Sequence, residues 1–195
     1  TIYRLCDGAL FYSEIRRGIM VGKSKWLSKK SFVAHNTLNT KELSNSRRKL
    51  LGLEREELKN SLSIKCTWNI AYIGRLEKAK RIDLLIEAHK ILSKTYSIGL
   101  VVIGDGEEAK EVEEYQRVCK ESIVKTGYIS NISKSSSYLY SSDFLVMPGS
   151  VGLGIVHGYA FGLPMITCRS TENGPFHGPE IEYLKDGYNG LFCDS

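Results

Sequence analysis

The chain has 195 residues, 42% of them hydrophobic and 25% charged, which is ordinary globular usage and enough to bury a sizeable core. No apolar run approaches the roughly 20 residues of a membrane span, and a net charge of +5 favours anionic ligands while falling short of a dedicated nucleic-acid binder. The five cysteines (Cys6, Cys66, Cys119, Cys168, Cys193) lie far apart without CxxC or Cys/His ligand spacing, so neither a disulfide framework nor a zinc site is expected and a reducing cytoplasm is the natural setting.

The first residue is Thr1 and nothing resembles a signal peptide, so the chain is expected to be a stretch of a longer protein. Residues 8–13 read as a strand and 14–20 as the helix after it. Arg16, Arg17, Lys23, Lys25, Lys29 and Lys30 make this part cationic, and a polar stretch with scattered leucines follows over 41–63. The expectation is the end of a preceding domain with its connection over 1–40, then a linker or helical segment over 41–65. From residue 66 one theme repeats, a short apolar run and then an amphipathic stretch. The strands are predicted at 68–73, 99–103, 122–125, 144–147, 164–168 and near Leu191. The helices are predicted at 80–94, 107–120, 133–141, 153–162 and 179–185. Alternation at this spacing predicts an α/β fold with a Rossmann-like, doubly wound parallel sheet over 66–195.

Three short motifs bear on chemistry. Gly104, Asp105, Gly106 and Ala109 fit the G-x-G-x-x-A dinucleotide fingerprint on paper. However, Asp105, Glu107 and Glu108 already occupy the helix start and repel a second anion. No acidic residue follows at the required distance either, so an NAD(P)-dependent oxidoreductase is the weaker reading. The loop Pro148, Gly149, Ser150, Val151, Gly152, Leu153, Gly154 has no acidic residue and leads from a strand into a helix. Its glycines allow close approach of a ligand and its amides are expected to be free for a phosphate, although a plain strand-to-helix turn fits as well. Arg75 and Lys80 follow the first strand of the repeat, at the carboxyl edge where open α/β sheets bind ligands. Together they can neutralise a diphosphate, although basic residues here can equally form a solvated helix start.

The ordered set of residues resembles the carboxy-terminal, donor-binding domain of GT-B glycosyltransferases of family 4, the glycosyl transferases group 1. Ile73, Gly74, Arg75, Leu76 and Lys80 with Leu84, Leu85, Ile86, Glu87 and Ala88 are similar to that family's opening motif. Val102, Ile103, Gly104, Asp105 and Gly106 are similar to its second strand and turn. Gly162, Leu163, Pro164, Met165 and Ile166, and later Asp186, Gly187, Asn189, Gly190 and Leu191, follow in the family's order. Asp7, Tyr12, Ser13 and His35 to Asn39 are similar to the end of its amino-terminal domain. The family's hallmark pair of glutamates falls on Gly149 and His157, so neither carboxylate is present.

The resemblance implies transfer of a sugar, with retention, from a nucleoside-diphosphate sugar to a glycan or lipid-linked acceptor, as in polysaccharide or glycoconjugate synthesis. It implies no metal and no further cofactor. Arg75, Lys80, Gly152, Leu153 and Gly154 would take the diphosphate. Gly149, Ser150, Val151 and His157 would face the donor sugar and ribose, and Gly127, Tyr128 and Ile129 the nucleobase. The catalytic groups would lie mostly in the amino-terminal domain, which leaves the fragment inactive alone. The partners expected are the donor, the acceptor and, through the cationic stretch, the inner face of a membrane, with no nucleic acid. The loss of both glutamates leaves a non-catalytic nucleotide-binding module as the alternative.

Overall fold

The computed structural model describes residues 5–194; residues 1–4 and 195, the outer ends of the first and last predicted segments, lie outside the described residues. A small parallel sheet pairs β1 (Ala9–Phe11) with β2 (Ser31–Val33), joined through α1 (Glu14–Lys23) and α2 (Leu27–Lys30). The polar stretch after it forms α3 (Thr40–Leu50) and α4 (Arg55–Ser61). Asn39 caps α3 by accepting from the Glu42 amide at 3.3 Å. Leu43 of α3 is buried in the main core, and α3 packs on α7 (Ile132–Tyr140) and α8 (Gly154–Ala160).

The remaining strands are β3 (Trp68–Ile73), β4 (Ile98–Ile103), β5 (Ile123–Gly127), β6 (Phe144–Val146), β7 (Met165–Cys168) and β8 (Gly190–Cys193). They form one six-stranded sheet in the order β5-β4-β3-β6-β7-β8, with every pair parallel. Helices cover both faces, so β4 is buried along its whole length and β3 after its first residue. Between β3 and β4 lies α5 (Ile82–Leu92), whose Ile82, Leu85, Ile86 and His89 recur at helical spacing and face the core. Between β4 and β5 lies α6 (Ala109–Val118), which buries Val112 and Tyr115. The helix predicted over 179–185 is instead a short 3-10 stretch, Pro179–Tyr183. Among the described residues no helix is long and apolar enough to cross a membrane.

Chain order along the sheet reverses between β3 and β6, and that reversal makes a crevice at their carboxyl ends. The loop after β3 and the loop after β6 meet there. Behind it, Arg55 of α4 bonds the Asp143 carboxylate at 2.7 Å, and the other Asp143 oxygen accepts from the Asn69 amide at 2.8 Å. This fixes the start of β6 against β3.

His89 supplies a measurable property of the core. Its Nε2 lies 3.0 Å from the Ile98 carbonyl oxygen and must carry the proton, so Nδ1 accepts from the Tyr115 hydroxyl at 2.7 Å. Burial lowers the His89 value below that of an ordinary histidine. As the pH falls, the unfolded chain therefore takes up a proton first, and the stability carried by neutral His89 is complete above about 6.5 and declines below it. His157 and His177 are lowered by burial in the same direction. The expected result is a lower urea midpoint at about pH 5.5 than at about pH 7.5, with a smaller drop in His89→Gln. An equal drop in both proteins would exclude His89 as a contributor.

Candidate functional site

The crevice at the reversal is built from two interlocked loops. After β3 the chain runs through Gly74, Arg75 and Leu76 to a 3-10 turn, Lys78–Lys80, and Arg81 in the left-handed region at φ 52°. After β6 it runs from Met147 to Leu153 and enters α8. The Gly149 amide donates to the Lys80 carbonyl at 3.1 Å and the Ser150 amide to the Ala79 carbonyl at 2.8 Å. Lys80 returns the contact, its Nζ donating to the Ser150 carbonyl at 2.7 Å and to Ser150 Oγ at 3.0 Å. Burial pulls the Lys80 value below that of an ordinary lysine, against the carboxylates of Glu77 and Glu180, while Arg75 adds to the lowering. Arg75 itself is exposed, with Glu77 3.9 Å away.

This geometry corrects the expectation that the amides of the glycine loop are free. Those of Gly149 and Ser150 are taken by the neighbouring turn, and that of Val151 donates to His177 Nδ1 at 3.1 Å. The amides of Gly152, Leu153 and Gly154 alone have no hydrogen-bond partner in this loop among the described residues. The glycines also serve the chain's own packing. A Cβ on Gly149 would stand 2.6 Å from Lys80 Cα and closer still to the Ala79 carbonyl oxygen. One on Gly154 would stand 2.7 Å from the Ile73 carbonyl oxygen. Of these three loop glycines, Gly152 alone has open space around it among the described residues.

The dinucleotide fingerprint fails on the same grounds. The Glu108 amide donates to the Leu76 carbonyl at 3.0 Å and the Ala109 amide to the Gly106 carbonyl at 3.1 Å. The Gly106 amide is held by Asp105 Oδ1 at 2.9 Å. Gly104 and Gly106 are small because the loop after β3 crosses against them, so this turn offers no pyrophosphate cradle.

The structure brings Lys80 together with Gly149 and Ser150, with Val151 next in that loop, Arg75 exposed on the same loop as Lys80, and Gly152, Leu153 and Gly154 leading into α8. His157 lies one turn into α8, half-buried, and its Nδ1, itself buried, has no hydrogen-bond partner among the described residues. Gly127, Tyr128 and Ile129 stand at the end of β5, two strands from β3. There the Gly127 carbonyl accepts from the Gly104 amide at 3.0 Å, and Tyr128 is exposed. Among the described residues no three His, Cys, Asp or Glu side chains converge as metal ligands would.

Sequence reasoning misses the segment after β7. His177 accepts from Val151 and bonds the Cys168 carbonyl through Nε2 at 2.9 Å, while the Gly178 amide donates to the Val151 carbonyl at 2.7 Å. Glu180, buried, accepts from the Asn36 side chain, and the Tyr183 hydroxyl donates to the Asn36 carbonyl at 2.8 Å. Glu182 accepts from Ser13 Oγ and from the amides of Glu14 and Ile15 at 2.9 Å each. Burial opposes ionisation of Glu182, but these bonds outweigh it and hold its carboxyl below the ordinary range. The available signal is length, because the loop from β7 to Pro179 exceeds the roughly 2 to 6 residues usual for such a connection. Beside it opens a cavity of about 420 Å³ lined by Arg81, Ser150, Cys168, Thr171, Asn173 and Phe176 among others.

The doubly wound order and this crevice define half of a GT-B glycosyltransferase fold, and solved structures share it. The lipopolysaccharide-biosynthesis glycosyltransferase WaaG matches with a TM-score of 0.68 at 14% identity, over 95% of this chain and 49% of that one. Anabaena HepE, in complex with UDP and glucose, matches with a TM-score of 0.64 at 15% identity, over 97% of this chain and 50% of that one. By sequence, a GDP-mannose-dependent alpha-mannosyltransferase of Corynebacterium glutamicum is 29% identical over 146 residues, covering 70% of this chain and 32% of that relative. The family described as glycosyl transferases group 1 matches residues 67–195. The chain belongs to that family, and it spans about a third of the curated relative's length and about half of the solved structures.

Proposed function

We propose that this chain is the donor-binding part of a retaining glycosyltransferase that uses a nucleoside-diphosphate sugar and delivers the sugar to a hydroxyl of a glycan or lipid-linked acceptor. What supports this reading is the crevice between β3 and β6, where Lys80 Nζ is held at Ser150, Arg75 stands on the same loop as Lys80, and the amides of Gly152, Leu153 and Gly154 have no hydrogen-bond partner among the described residues. As the glycosidic bond to the donor breaks, negative charge gathers on the departing diphosphate. Cationic side chains and amides fixed in advance stabilise that charge without having to reorganise. In this reading they do so without a metal ion or a further cofactor. In this reading the half-buried His157 stands near the donor sugar and ribose, and Gly127, Tyr128 and Ile129 contact the base. The amino-terminal part of the complete protein supplies the acceptor site, so the chain alone binds donor without transferring it. The cationic residues of α1 and α2 face the inner leaflet in this reading.

The test is calorimetric titration of the chain with UDP, GDP, ADP and NAD in the absence of divalent metal. The expected result is binding of one nucleoside diphosphate and no binding of NAD; binding of NAD alone would overturn the proposal. The missing carboxylates at Gly149 and His157 favour a second reading, a nucleotide-binding module without transferase activity. Slow hydrolysis of a sugar nucleotide by the full-length protein would decide against that module.

A further inference from the structure

Cys168 and Cys193, distant in sequence, stand directly opposite each other in the register of β7 and β8. Neighbouring strands run roughly 4.8 Å apart, which lies within the roughly 4.4 to 6.8 Å that a disulfide spans between Cα atoms. The two Sγ atoms are 3.8 Å apart, and the Cys193 thiol also lies 3.3 Å from the Thr167 carbonyl oxygen. The two thiols differ in access. Cys193 is exposed on the edge strand of the sheet, whereas Cys168 is buried and lines the 420 Å³ cavity. Burial, with the neighbouring Cys193, pushes the Cys168 thiol up to about 11, and Arg81 pulls in the opposite direction. The pair is thus one accessible thiol backed by one protected thiol within reach.

We propose that Cys168 and Cys193 form a reversible dithiol–disulfide site that exchanges with small disulfides of the glutathione type. In the first step the Cys193 thiolate attacks one sulfur of glutathione disulfide, forming a mixed disulfide as one glutathione leaves as its thiolate. In the second, Cys168 gives its proton to solvent and attacks Cys193 Sγ, so that the Sγ–Sγ bond forms and the second glutathione departs. Two protein thiols are oxidised by two electrons, and one glutathione disulfide is reduced to two glutathione molecules. The bond joins the last two strands of the sheet. It closes the loop containing His177 and Gly178, which hold Val151, and Glu180 and Glu182, which hold the amino-terminal segment.

The experiment exposes the folded chain to glutathione disulfide, blocks remaining thiols with N-ethylmaleimide, and reads intact mass and non-reducing peptide maps. The expected product has lost two hydrogens, carries its cross-link between the Cys168 and Cys193 peptides, and reverts with dithiothreitol, while Cys66 and Cys119 remain alkylated. Cys168→Ser should accumulate a stable glutathione adduct on Cys193, and Cys193→Ser should leave Cys168 unmodified over the same exposure. Phenylarsine oxide, which bridges paired thiols, should protect this pair in the unsubstituted chain and thereby checks the pairing without any variant. A persistent glutathione adduct on Cys193 of the unsubstituted chain, with Cys168 still alkylated, would overturn the proposal. So would a cross-link that appears only in denaturant.

Discussion

Replacing Lys80 by Met is expected to weaken binding of the nucleoside diphosphate by roughly 10- to 150-fold, the equivalent of about 1.5 to 3 kcal/mol for a hydrogen bond to a charged group. Methionine keeps the aliphatic stem that the crevice encloses and removes the donor head. That head is held in advance by the Ser150 carbonyl at 2.7 Å and Ser150 Oγ at 3.0 Å, so it is placed before any ligand arrives and loses little freedom on binding. Arg75 presents the contrast. Its side chain is 77% exposed and its partner Glu77 is 3.9 Å away, so solvent and salt screen its charge and Arg75→Ala should cost less than Lys80→Met. Ser150→Ala separates charge from scaffolding, since it removes one of the two contacts to Nζ and leaves the charge in place; its effect should be the smallest of the three. The measurement is calorimetry at two salt concentrations, where salt should weaken the unsubstituted chain more than Lys80→Met. Equal affinity of the two proteins would place the diphosphate away from Lys80.

The sheet is legible in the sequence because strands buried on both faces must be apolar throughout, and the predicted run at 68–73 coincides with β3. The helices α5 and α6 are legible from the recurrence of apolar residues on one face. The stretch over 41–63 is harder, since it is mostly polar and commits only a few side chains, Leu43 foremost, to the core. The segment from Pro179 reads as a helix of seven residues in the sequence and forms only a five-residue 3-10 helix, Pro179–Tyr183, tied to partners far away in the chain. Asn36 and Ser13 hold Glu180 and Glu182, and no local pattern reports such partners. Arg75 and Lys80 are legible as residues at the carboxyl edge of the sheet. His177 is not, because its role rests on two backbone groups, of Val151 and Cys168, that only folding brings to it. Gly149 illustrates the limit of a glycine in a sequence: it announces a close approach without saying whether a ligand or the chain's own backbone makes it.

In Gly149→Ala the added Cβ meets the Lys80 Cα at 2.6 Å and, closer still, the Ala79 carbonyl oxygen. These are backbone atoms of a turn that the Gly149 and Ser150 amides already clasp, so no side-chain rotation relieves the clash, and the turn must move away from the loop. Overpacking of this kind costs about 1 to 3 kcal/mol, each of which lowers Tm by roughly 2 to 4 °C in a chain of this size. Moving the turn also displaces Lys80 from Ser150, so nucleotide binding should fall together with stability. Gly152→Ala is the matched control for stability, because among the described residues nothing lies within 4 Å of its added Cβ, and its Tm should stay near that of the unsubstituted chain. Gly149→Glu should be worse for stability than Gly149→Ala, since the larger side chain starts from the same clash. A Gly149→Ala protein with unchanged Tm would mean that the turn over Lys78–Lys80 yields cheaply and that close packing does not require glycine at 149. A lowered Tm makes the glycine at 149 part of how this crevice is packed, with the 3-10 turn lying directly against its backbone.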